Sequence, residues 1–454
     1  MNPNEAIRDA RQLGLPKMLV LGAQHMFAMF GATILVPILV QGYGLPLNIQ
    51  TTLFFAGIGT LFFHLCSKFQ IPAFLGSSFA FLGGYMSMAN MNEGIYAGMS
   101  PEDKLAYTCG GIMVAGLMYL LLAAVIKLVG VKKVMRFLPP VVTGPIIICI
   151  GLTLAPSAVS NAATCWPLAL IALATIIVFN VWGKGMFKII PILMGVVVSY
   201  VAALIMNACG VTVLDANGAA QPLLNFTAVA EADLFGLPPF LMAKFDVSAI
   251  LVMAPIALAT MMEHVGDMSA ISATVGRNFI QDPGLHRTLI GDGLATTLSA
   301  MFGGPANTTY GENTGVLVLS RVHDPRVIRI AALFAIILGF IPKMAEVIGS
   351  MPSAIVGGVS FILYGMISAI GVRNIVENKV DFTNSRNLII AAVILVCGLG
   401  FSGGVTFQVA GTPVTLTSLA IAAIAGIVLN AILPGNDYEF GVNPKGDENR
   451  GVHR

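Results

Sequence analysis

Long apolar runs recur along almost the whole chain, and they constrain its fold more than any other feature. Each run has about 18–25 residues, enough for one helix to cross a hydrocarbon core about 30 Å thick. About fourteen such runs can be counted, and they begin near Lys17, Gln50, Ile71, Leu105, Val134, Cys165, Lys188, Val247, Leu285, Asn307, Pro325, Pro352, Arg386 and Val414. The chain is therefore predicted to be an all-α membrane protein with about fourteen transmembrane segments.

The charge content supports the same prediction. Only 10% of the 454 residues are charged, whereas a soluble protein has about 25% and needs them to cover its surface. The net charge of +2 gives no sign of a nucleic-acid partner. The six cysteines have no paired spacing, so they are expected to be small buried apolar side chains.

Basic residues predict the orientation of the chain. The first residues, MNPNEAIRDARQLGLPK, are polar and lead directly into the first apolar run, so no cleavable signal peptide is expected. If the N-terminus is cytoplasmic, nearly all Lys and Arg residues fall on cytoplasmic connections, and Lys104, Lys244 and Lys343 fall outside. This asymmetry predicts an even number of spans with both termini in the cytoplasm.

Two of the apolar runs are interrupted by proline, glycine and small polar residues. They are IPAFLGSSFAFLGG (71–84) and GGPANTTYGENTGV (303–316), about half a chain length apart. Irregular backbone inside a membrane is tolerated only where it packs on protein or lines a polar cavity. Broken segments at corresponding places in two inverted halves are typical of a transporter's binding site. The alternative is two helices that are merely kinked at these residues.

Four carboxylates fall inside the apolar runs, where a charge is costly and usually functional. Glu263 and Asp267 lie four residues apart in ALATMMEHVGDMSAIS, which puts them on one face of a helix. Because two ionised carboxylates this close repel each other, at least one is expected to bind a proton readily. Glu312 lies in the second interrupted segment, and Asp292 is a weaker candidate. For Asp267 and Asp292, the alternative is a bracing contact with a neighbouring helix.

Histidines add one candidate for support of this site. Gln24 and His25 stand side by side in the first span, from which they could hydrogen-bond to the interrupted segments, although ordinary packing is the favoured interpretation of His25. His264 is not expected to bind a metal, because its helical neighbours point about 100° away and no His or Cys cluster supplies further ligands. No metal or cofactor is predicted.

At this point the motifs resemble a known family. YGENTGVLVLSR (310–321) is similar to the signature of the nucleobase–ascorbate transporters, or nucleobase/cation symporter-2 family: Gln or Glu followed by Asn-x-Gly-x-x-x-x-Thr/Ser-Arg. QHMFAMFGATILVP, IPAFLGSSFAF, EHVGD and DPGLHR look like further motifs of that family, so the resemblance covers nearly the whole chain. Because the signature begins with Glu312, the uracil-permease branch is the most similar, whereas purine-type members more often have Gln there.

The resemblance implies a fold of two inverted repeats of seven segments, in which the interrupted third and tenth segments pair as short extended stretches. It also implies a core domain, a gate domain and a cytoplasmic tail. Their boundaries in this chain are 1–133 and 247–348 for the core, 134–246 and 349–433 for the gate, and 434–454 for the tail. Family members are typically homodimers in which the core moves like an elevator against a fixed gate, here in a bacterial inner membrane.

The family's site residues carry over by position. The substrate would contact Glu263, Glu312 and the backbone of Phe79 and Gly311, with Tyr310 packing nearby. Asp267 would act in proton coupling together with Glu263, and the supporting residues would be Gln24, His25, Asp292 and Asn313. Some uracil-type relatives have His where this chain has Asp267, which matters because a protonated His would stabilise an ionised Glu263 and an ionised Asp would not.

Uracil suits such a site, since it offers two N–H donors to carboxylates and two carbonyl oxygens to backbone N–H groups. The predicted function is uracil import by proton symport, with sodium as the alternative coupling ion. A purine or xanthine permease of the same family is the main alternative. An inorganic anion carrier of related fold is more remote, because two carboxylates would repel the anion. An enzyme is not predicted, because no nucleophile–base or metal pattern is present.

Overall fold

A computed structural model describes residues 6–214, 220–409, 412–436 and 438, and the side chains at 189, 214, 312, 409 and 412 lie outside that description. The helices of the first half are α1 Leu15–Gly42, α2 Ile49–Cys66, α3 Leu82–Asn90, α4 Pro101–Val129, α5 Val131–Met135, α6 Pro140–Leu152, α7 Ala155–Ala163, α8 Trp166–Trp182, α9 Met186–Ile189 and α10 Pro191–Ala208. Those of the second half are α11 Thr227–Glu231, α12 Val247–Met253, α13 Ile256–Val275, α14 Leu285–Met301, α15 Glu312–Ser320, α16 Pro325–Leu338, α17 Pro342–Gly349, α18 Ser353–Glu377, α19 Ser385–Gly400 and α20 Ser418–Ile432. The strands are β1 Leu75–Ser77, β2 Thr212–Leu214, β3 Ala220–Pro222, β4 Asn307–Thr309, β5 Val405–Val409 and β6 Thr412–Leu416.

Within the described chain, seven helical stretches are long and apolar enough to cross a membrane. They are α1, α2, α4, α6 with α7, α10, α12 with α13, and α18. An eighth is formed if α16 and α17, which are bent by 86°, count as one span, and α8, α19 and α20 are shorter apolar helices. The molecule is a multi-pass helical membrane protein, and the count of fourteen segments in two inverted repeats stays a prediction.

Several of the apolar helices begin at a side chain that caps the helix. The amide oxygen of Asn48 accepts from the N–H of Thr51 at the start of α2, and the hydroxyl of Ser100 accepts from the N–H of Asp103 at the start of α4. Asp324 caps α16 in the same way. These polar residues stand between apolar runs, so local sequence defines where the spans start.

The two interrupted segments meet as a short ladder. β1 pairs antiparallel with β4, with Leu75 opposite Thr309 and Ser77 opposite Asn307, and all six strand residues are buried. The pairing that the resemblance implied is confirmed, and the alternative of two merely kinked helices is wrong. Because the strands satisfy each other's backbone groups, extended chain can lie inside a membrane protein.

Two threonines close the outer edges of this ladder. The hydroxyl of Thr60 on α2 accepts from the N–H of Leu75 at 2.9 Å, and that of Thr296 on α14 accepts from the N–H of Asn307 at 3.1 Å. The two arrangements match: each is a threonine in the middle of a helix that binds the first residue of one strand. Buried strand edges are thereby paired.

The helices pack in two groups. In one, α14 packs on α4 and α2, α1 packs on α16, and α13 packs on β4, α15 and the 3₁₀ turn Phe79–Phe81. In the other, α18 packs on α6, α7 and α8, α10 packs on α8, and α19 packs on α20. The ladder and the interrupted segments belong to the first group.

The close approach of α4 and α14 depends on glycine. A methyl group on Gly116 would overlap the hydroxyl of Thr297 and lie 2.8 Å from the carbonyl oxygen of Gly293. We expect Gly116→Ala to lower the free energy of unfolding by about 1–3 kcal/mol, measured as a lower Tm in detergent. Gly365→Ala on α18 is the control, because no atom of the described chain lies within 4 Å of the added methyl and alanine favours a helix. Equal Tm values for the two variants would contradict the tight contact.

The residues ahead of α1 are tied to the connection after α15. The N–H of Ala10 donates to Asp324 at 2.6 Å, and Arg326 lies 2.9 Å from both Asp9 and Asp324. A hydrogen bond from the side chain of Arg11 lowers the pKa of Asp9 to about 2, so Asp9 is ionised throughout the neutral range. The N-terminal segment thus holds the connection between α15 and α16.

Candidate functional site

The candidate site lies where two short helices begin inside the protein. The turn Phe79–Phe81 leads into α3, and α15 begins directly after Gly311. Neither start has a capping side chain among the described residues, in contrast to α2, α4 and α16. The first N–H groups of a helix have no partner within it and carry the positive end of its dipole. The antiparallel ladder therefore has a set of available N–H donors at each end.

Helix α13 brings carboxylates to these helix starts. It packs against the turn Phe79–Phe81, β4 and α15. Asp267 is buried, and its Oδ1 would lie 3.6 Å from a Cβ atom on Gly311. Glu263 is half-buried one helical turn away on the same face. One of the two predicted carboxylates, Asp267, thus lies beside the helix start at Gly311.

The ring of Phe79 lies between the two helix groups. It is buried, and its centroid is 5.8 Å from that of Tyr364 on α18, with an interplanar angle of 74°. This edge-to-face contact belongs to a favourable class of aromatic pair. Phe79 therefore contributes both a helix start and an aromatic wall to the site.

Tyr310 is directed at the ladder. Its hydroxyl donates to the carbonyl oxygen of Ser77 at 2.8 Å and accepts from Thr33 of α1 at 3.4 Å. Its ring covers Gly76 so closely that a methyl group there would overlap it. Tyr310 thus braces β1 against β4, a role that sequence reasoning did not assign, and its contact with substrate stays a prediction.

Asn313 connects the second interrupted segment to the first span. Its amide donates to the carbonyl oxygen of His25 at 3.2 Å and lies 3.4 Å from His25 Nδ1. A contact between His25 and an interrupted segment, which sequence analysis considered less favoured than ordinary packing, is therefore present, with His25 fully buried. Gln24 is half-buried beside it and takes no part in this contact.

Asp292 forms a buried pair with His264, which sequence analysis considered only as a metal ligand and discounted. Their atoms Oδ2 and Nδ1 are 2.8 Å apart, and both side chains are fully buried. The hydroxyl of Thr309, in β4, donates to Asp292 Oδ1 at 3.2 Å. Asp292 thus supports the ladder. The sequence indicated this pair only by placing a histidine and a carboxylate in two separate apolar runs.

Two other expectations concern Glu312 and metals. The side chain of Glu312 lies outside the described residues, while its backbone forms the first residue of α15. Among the described residues, no group of three His, Cys, Asp or Glu side chains is placed to hold a metal ion.

A cavity of about 450 Å³ reaches Gly311 from the protein surface. It lies between the two helix groups, and its walls include Phe27 of α1, Ile192 of α10, Thr314 of α15 and Met366 of α18. A second cavity of about 350 Å³ lies between α3 and the β5–β6 hairpin. The first cavity connects directly with the helix start at Gly311 and therefore belongs to the site.

Comparison with known proteins identifies the family. Residues 16–406 match the model of the Permease family. The chain belongs to this permease family. The membership that the signature at 310–321 predicted is confirmed, and the protein is a transporter rather than an enzyme.

Curated relatives of this permease match it along almost their whole length. The uracil permease of Bacillus caldolyticus is 41% identical over 444 residues, which cover 94% of each protein. A probable uracil permease of Haemophilus influenzae is 38% identical over 427 residues, covering 92% of this chain and 94% of that protein. The uracil permease of Escherichia coli K12 is 35% identical over 438 residues, covering 94% of each protein.

Solved structures show that the permease shares its fold with anion transporters. The transmembrane domain of the cyanobacterial bicarbonate transporter BicA aligns with a TM-score of 0.61 over 92% of this chain and 99% of that one, at 14% identity. A murine Solute Carrier 26 family anion transporter aligns with a TM-score of 0.62 over 95% of this chain and 73% of that one, at 12% identity. At such identities the likeness concerns the fold alone.

Proposed function

We propose that this permease imports uracil, which binds between the helix starts at Phe79 and Gly311 and the carboxylate of Glu263. The observation that carries the proposal is the β1–β4 ladder, which joins two uncapped helix starts beside α13. The names of the curated relatives agree with it, since three that cover more than nine tenths of this chain are uracil permeases or a probable one.

The hydrogen-bonding groups of uracil complement this site. Backbone N–H groups at Phe79 and Gly311 donate to the two carbonyl oxygens, and Glu263 accepts from a ring N–H. Buried side-chain atoms without a partner in the described chain occur next to both helix starts: Ser78 Oγ, Asn313 Oδ1 and Thr314 Oγ1. Buried polar atoms are nearly always satisfied, so a small polar ligand fits here better than an apolar one.

Proton coupling is proposed for Asp267 together with Glu263. Asp267 lies against Gly311 at the start of α15, one turn from the proposed uracil acceptor. Binding of a proton reduces the charge of the pair before it crosses the low-dielectric part of the membrane. Because uracil is neutral, uptake that carries a proton inwards is electrogenic.

We propose that transport moves one helix group against the other, like an elevator. The group that carries the ladder corresponds to the core, 1–133 and 247–348, and the group around α18 corresponds to the gate, 134–246 and 349–433. The cavity at Gly311 lies between the groups, which supports a passage along their boundary. We further propose that the permease is a homodimer in a bacterial inner membrane, with both termini in the cytoplasm.

Uracil specificity is tested by uptake. In a strain without its own uracil permease, cells that express this chain should accumulate radiolabelled uracil. Excess xanthine or hypoxanthine should inhibit this uptake by less than about twofold. The reason is that buried hydrogen-bond donors and acceptors discriminate strongly between ligands. Cells with the empty vector are the control, and unlabelled uracil is the positive competitor. If xanthine competes better than uracil, the substrate is a purine and the uracil proposal is wrong.

A further inference from the structure

The hydrogen bonds of His264 and Asp292 define a unit that the proposed transport chemistry does not use. His264 Nδ1 lies 2.8 Å from Asp292 Oδ2, and His264 Nε2 lies 2.9 Å from the hydroxyl of Thr288. Asp292 Oδ1 accepts from the hydroxyl of Thr309 at 3.2 Å. The unit therefore joins α13, α14 and β4, and both ionisable side chains have no exposed surface.

The number of protons in this unit can be argued from its surroundings. The hydroxyl of Thr288 also lies 2.9 Å from the carbonyl oxygen of Leu285. If its single hydrogen is donated there, Nε2 of His264 must donate to Thr288. The contact at Nδ1 is then either a ring N–H beside an ionised carboxylate or a neutral ring that accepts from a protonated carboxyl, and the pair is neutral in both cases. Without this proton, the pair would carry a buried negative charge inside a membrane protein, which is strongly unfavourable.

We infer that His264 and Asp292 hold one resident proton as a neutral pair, and that this pair positions β4, and with it the start of α15 at Gly311. His264 directly follows Glu263 in the chain, so the same pair also fixes the helix face on which Glu263 lies. In this assignment, His264 and Asp292 are positioning residues. The link to uracil rests on the proposed function, whereas the resident proton does not.

Other ionisable groups surround the pair. Glu263 and Asp267 lie on α13 itself, and Tyr310 follows β4. On α4, the Cβ of Tyr119 lies 2.7 Å from the place of a Cβ on Gly293, the neighbour of Asp292. On α2, the ring of Phe63 is 6.4 Å from that of His264 and 6.2 Å from that of His64, and His64 Nε2 is engaged with the carbonyl oxygen of Ala73 at 2.8 Å. The nearby carboxylates favour a neutral pair over a negative one.

The test compares His264→Gln, Asp292→Asn and the double variant with the wild type. Their Tm values are measured in detergent at pH 5.5 and pH 8.5 without substrate. In His264→Gln, the carboxylate of Asp292 loses its partner, so the folded variant must hold a proton that the unfolded chain releases at high pH. Stability linked to such a proton falls as the pH rises. Between the two pH values we expect the Tm of His264→Gln to fall by several degrees relative to the double variant, which has no ionisable group at either position.

The other variants decide between a resident proton and an ordinary hydrogen bond. The wild-type Tm should also fall relative to the double variant, because its pair keeps a proton that the histidine of the unfolded chain releases as the pH rises. In Asp292→Asn the folded ring is neutral and only the unfolded chain takes up a proton at low pH, so its Tm should rise with pH relative to the double variant. If His264→Gln folds only with Asp292→Asn beside it, the charge assignment is likewise supported. If the Tm values of the wild type and of His264→Gln do not fall with pH relative to the double variant, the assignment is wrong.

Uracil binding by the same variants tests the positioning role. Relative to the double variant, His264→Gln should bind uracil at least about tenfold more weakly at pH 8.5 than at pH 5.5, in parallel with its Tm. If the wild type binds no uracil, the proposed function fails, and the Tm comparison still decides the resident proton. If His264→Gln binds equally well at both pH values although its Tm falls, the pair does not position the site.

Discussion

Replacing Glu263 by glutamine is expected to weaken uracil binding by at least about tenfold. The carboxylate of Glu263 accepts only, whereas the amide of glutamine must also direct two N–H donors somewhere. Uracil has two N–H donors, and the uncapped helix starts supply further backbone N–H donors. The new N–H groups of glutamine would therefore face other donors or remain without an acceptor. Isothermal titration calorimetry in detergent measures the change, with Glu102→Gln, an exposed carboxylate at the start of α4, as the matched control.

A loss of binding by Glu263→Gln is informative only if the variant is folded. Its Tm without uracil should stay close to that of the wild type, because Glu263 is half-buried beside a polar site and does not belong to the apolar core. Near-normal uracil affinity in a folded variant would exclude Glu263 from direct contact with the substrate.

The second large effect is expected from Asp267→Asn, which should uncouple uracil transport from protons. Asparagine keeps the shape of the buried side chain against Gly311 and removes the group that we propose binds the coupled proton. Uracil binding should stay within a few fold, while accumulation against a gradient should be lost and exchange of uracil should remain. In our proposal Glu263 needs Asp267 as its partner to link the imposed proton gradient to uptake.

Proteoliposomes allow the two driving ions to be separated. Uptake of labelled uracil is followed at several external pH values, with and without a sodium gradient, for wild type and Asp267→Asn. Exchange against internal uracil in the same vesicles shows that the variant is inserted and active. Accumulation by Asp267→Asn under a proton gradient, or accumulation by the wild type under sodium alone, would contradict proton coupling at Asp267.

The local sequence predicted those parts of the site that depend only on residues within one segment. Proline, glycine and small polar residues in 71–84 and 303–316 are incompatible with continuous apolar helices, so both interruptions were visible. The spacing of Glu263 and Asp267 placed both on one helix face, and the structure has Asp267 beside Gly311. The signature at 310–321 was long enough to identify the family.

Features that depend on contacts between distant segments were not predictable in the same way. His264 and Asp292 meet because α13 and α14 present particular faces to each other, and nothing within either run specifies that rotation. Tyr310 braces β1 because its side chain points across the ladder, whereas the motif indicates only that an aromatic ring precedes Gly311. The number of spans is similarly underdetermined by hydropathy, since α16 and α17 are both apolar but bend by 86°.

The ladder also has a consequence for how the chain is made. Ser77 and Tyr310, which hydrogen-bond in the finished protein, are 233 residues apart. At a synthesis rate of roughly 5–20 residues per second, β1 waits roughly 12–47 s for β4 to leave the ribosome. During that time Thr33 of α1 and Thr60 of α2 already stand beside β1, since both helices precede it in the chain. The edge of β1 that pairs with β4 therefore stays without its strand partner during this part of synthesis, and an unpaired strand edge favours misfolding and aggregation.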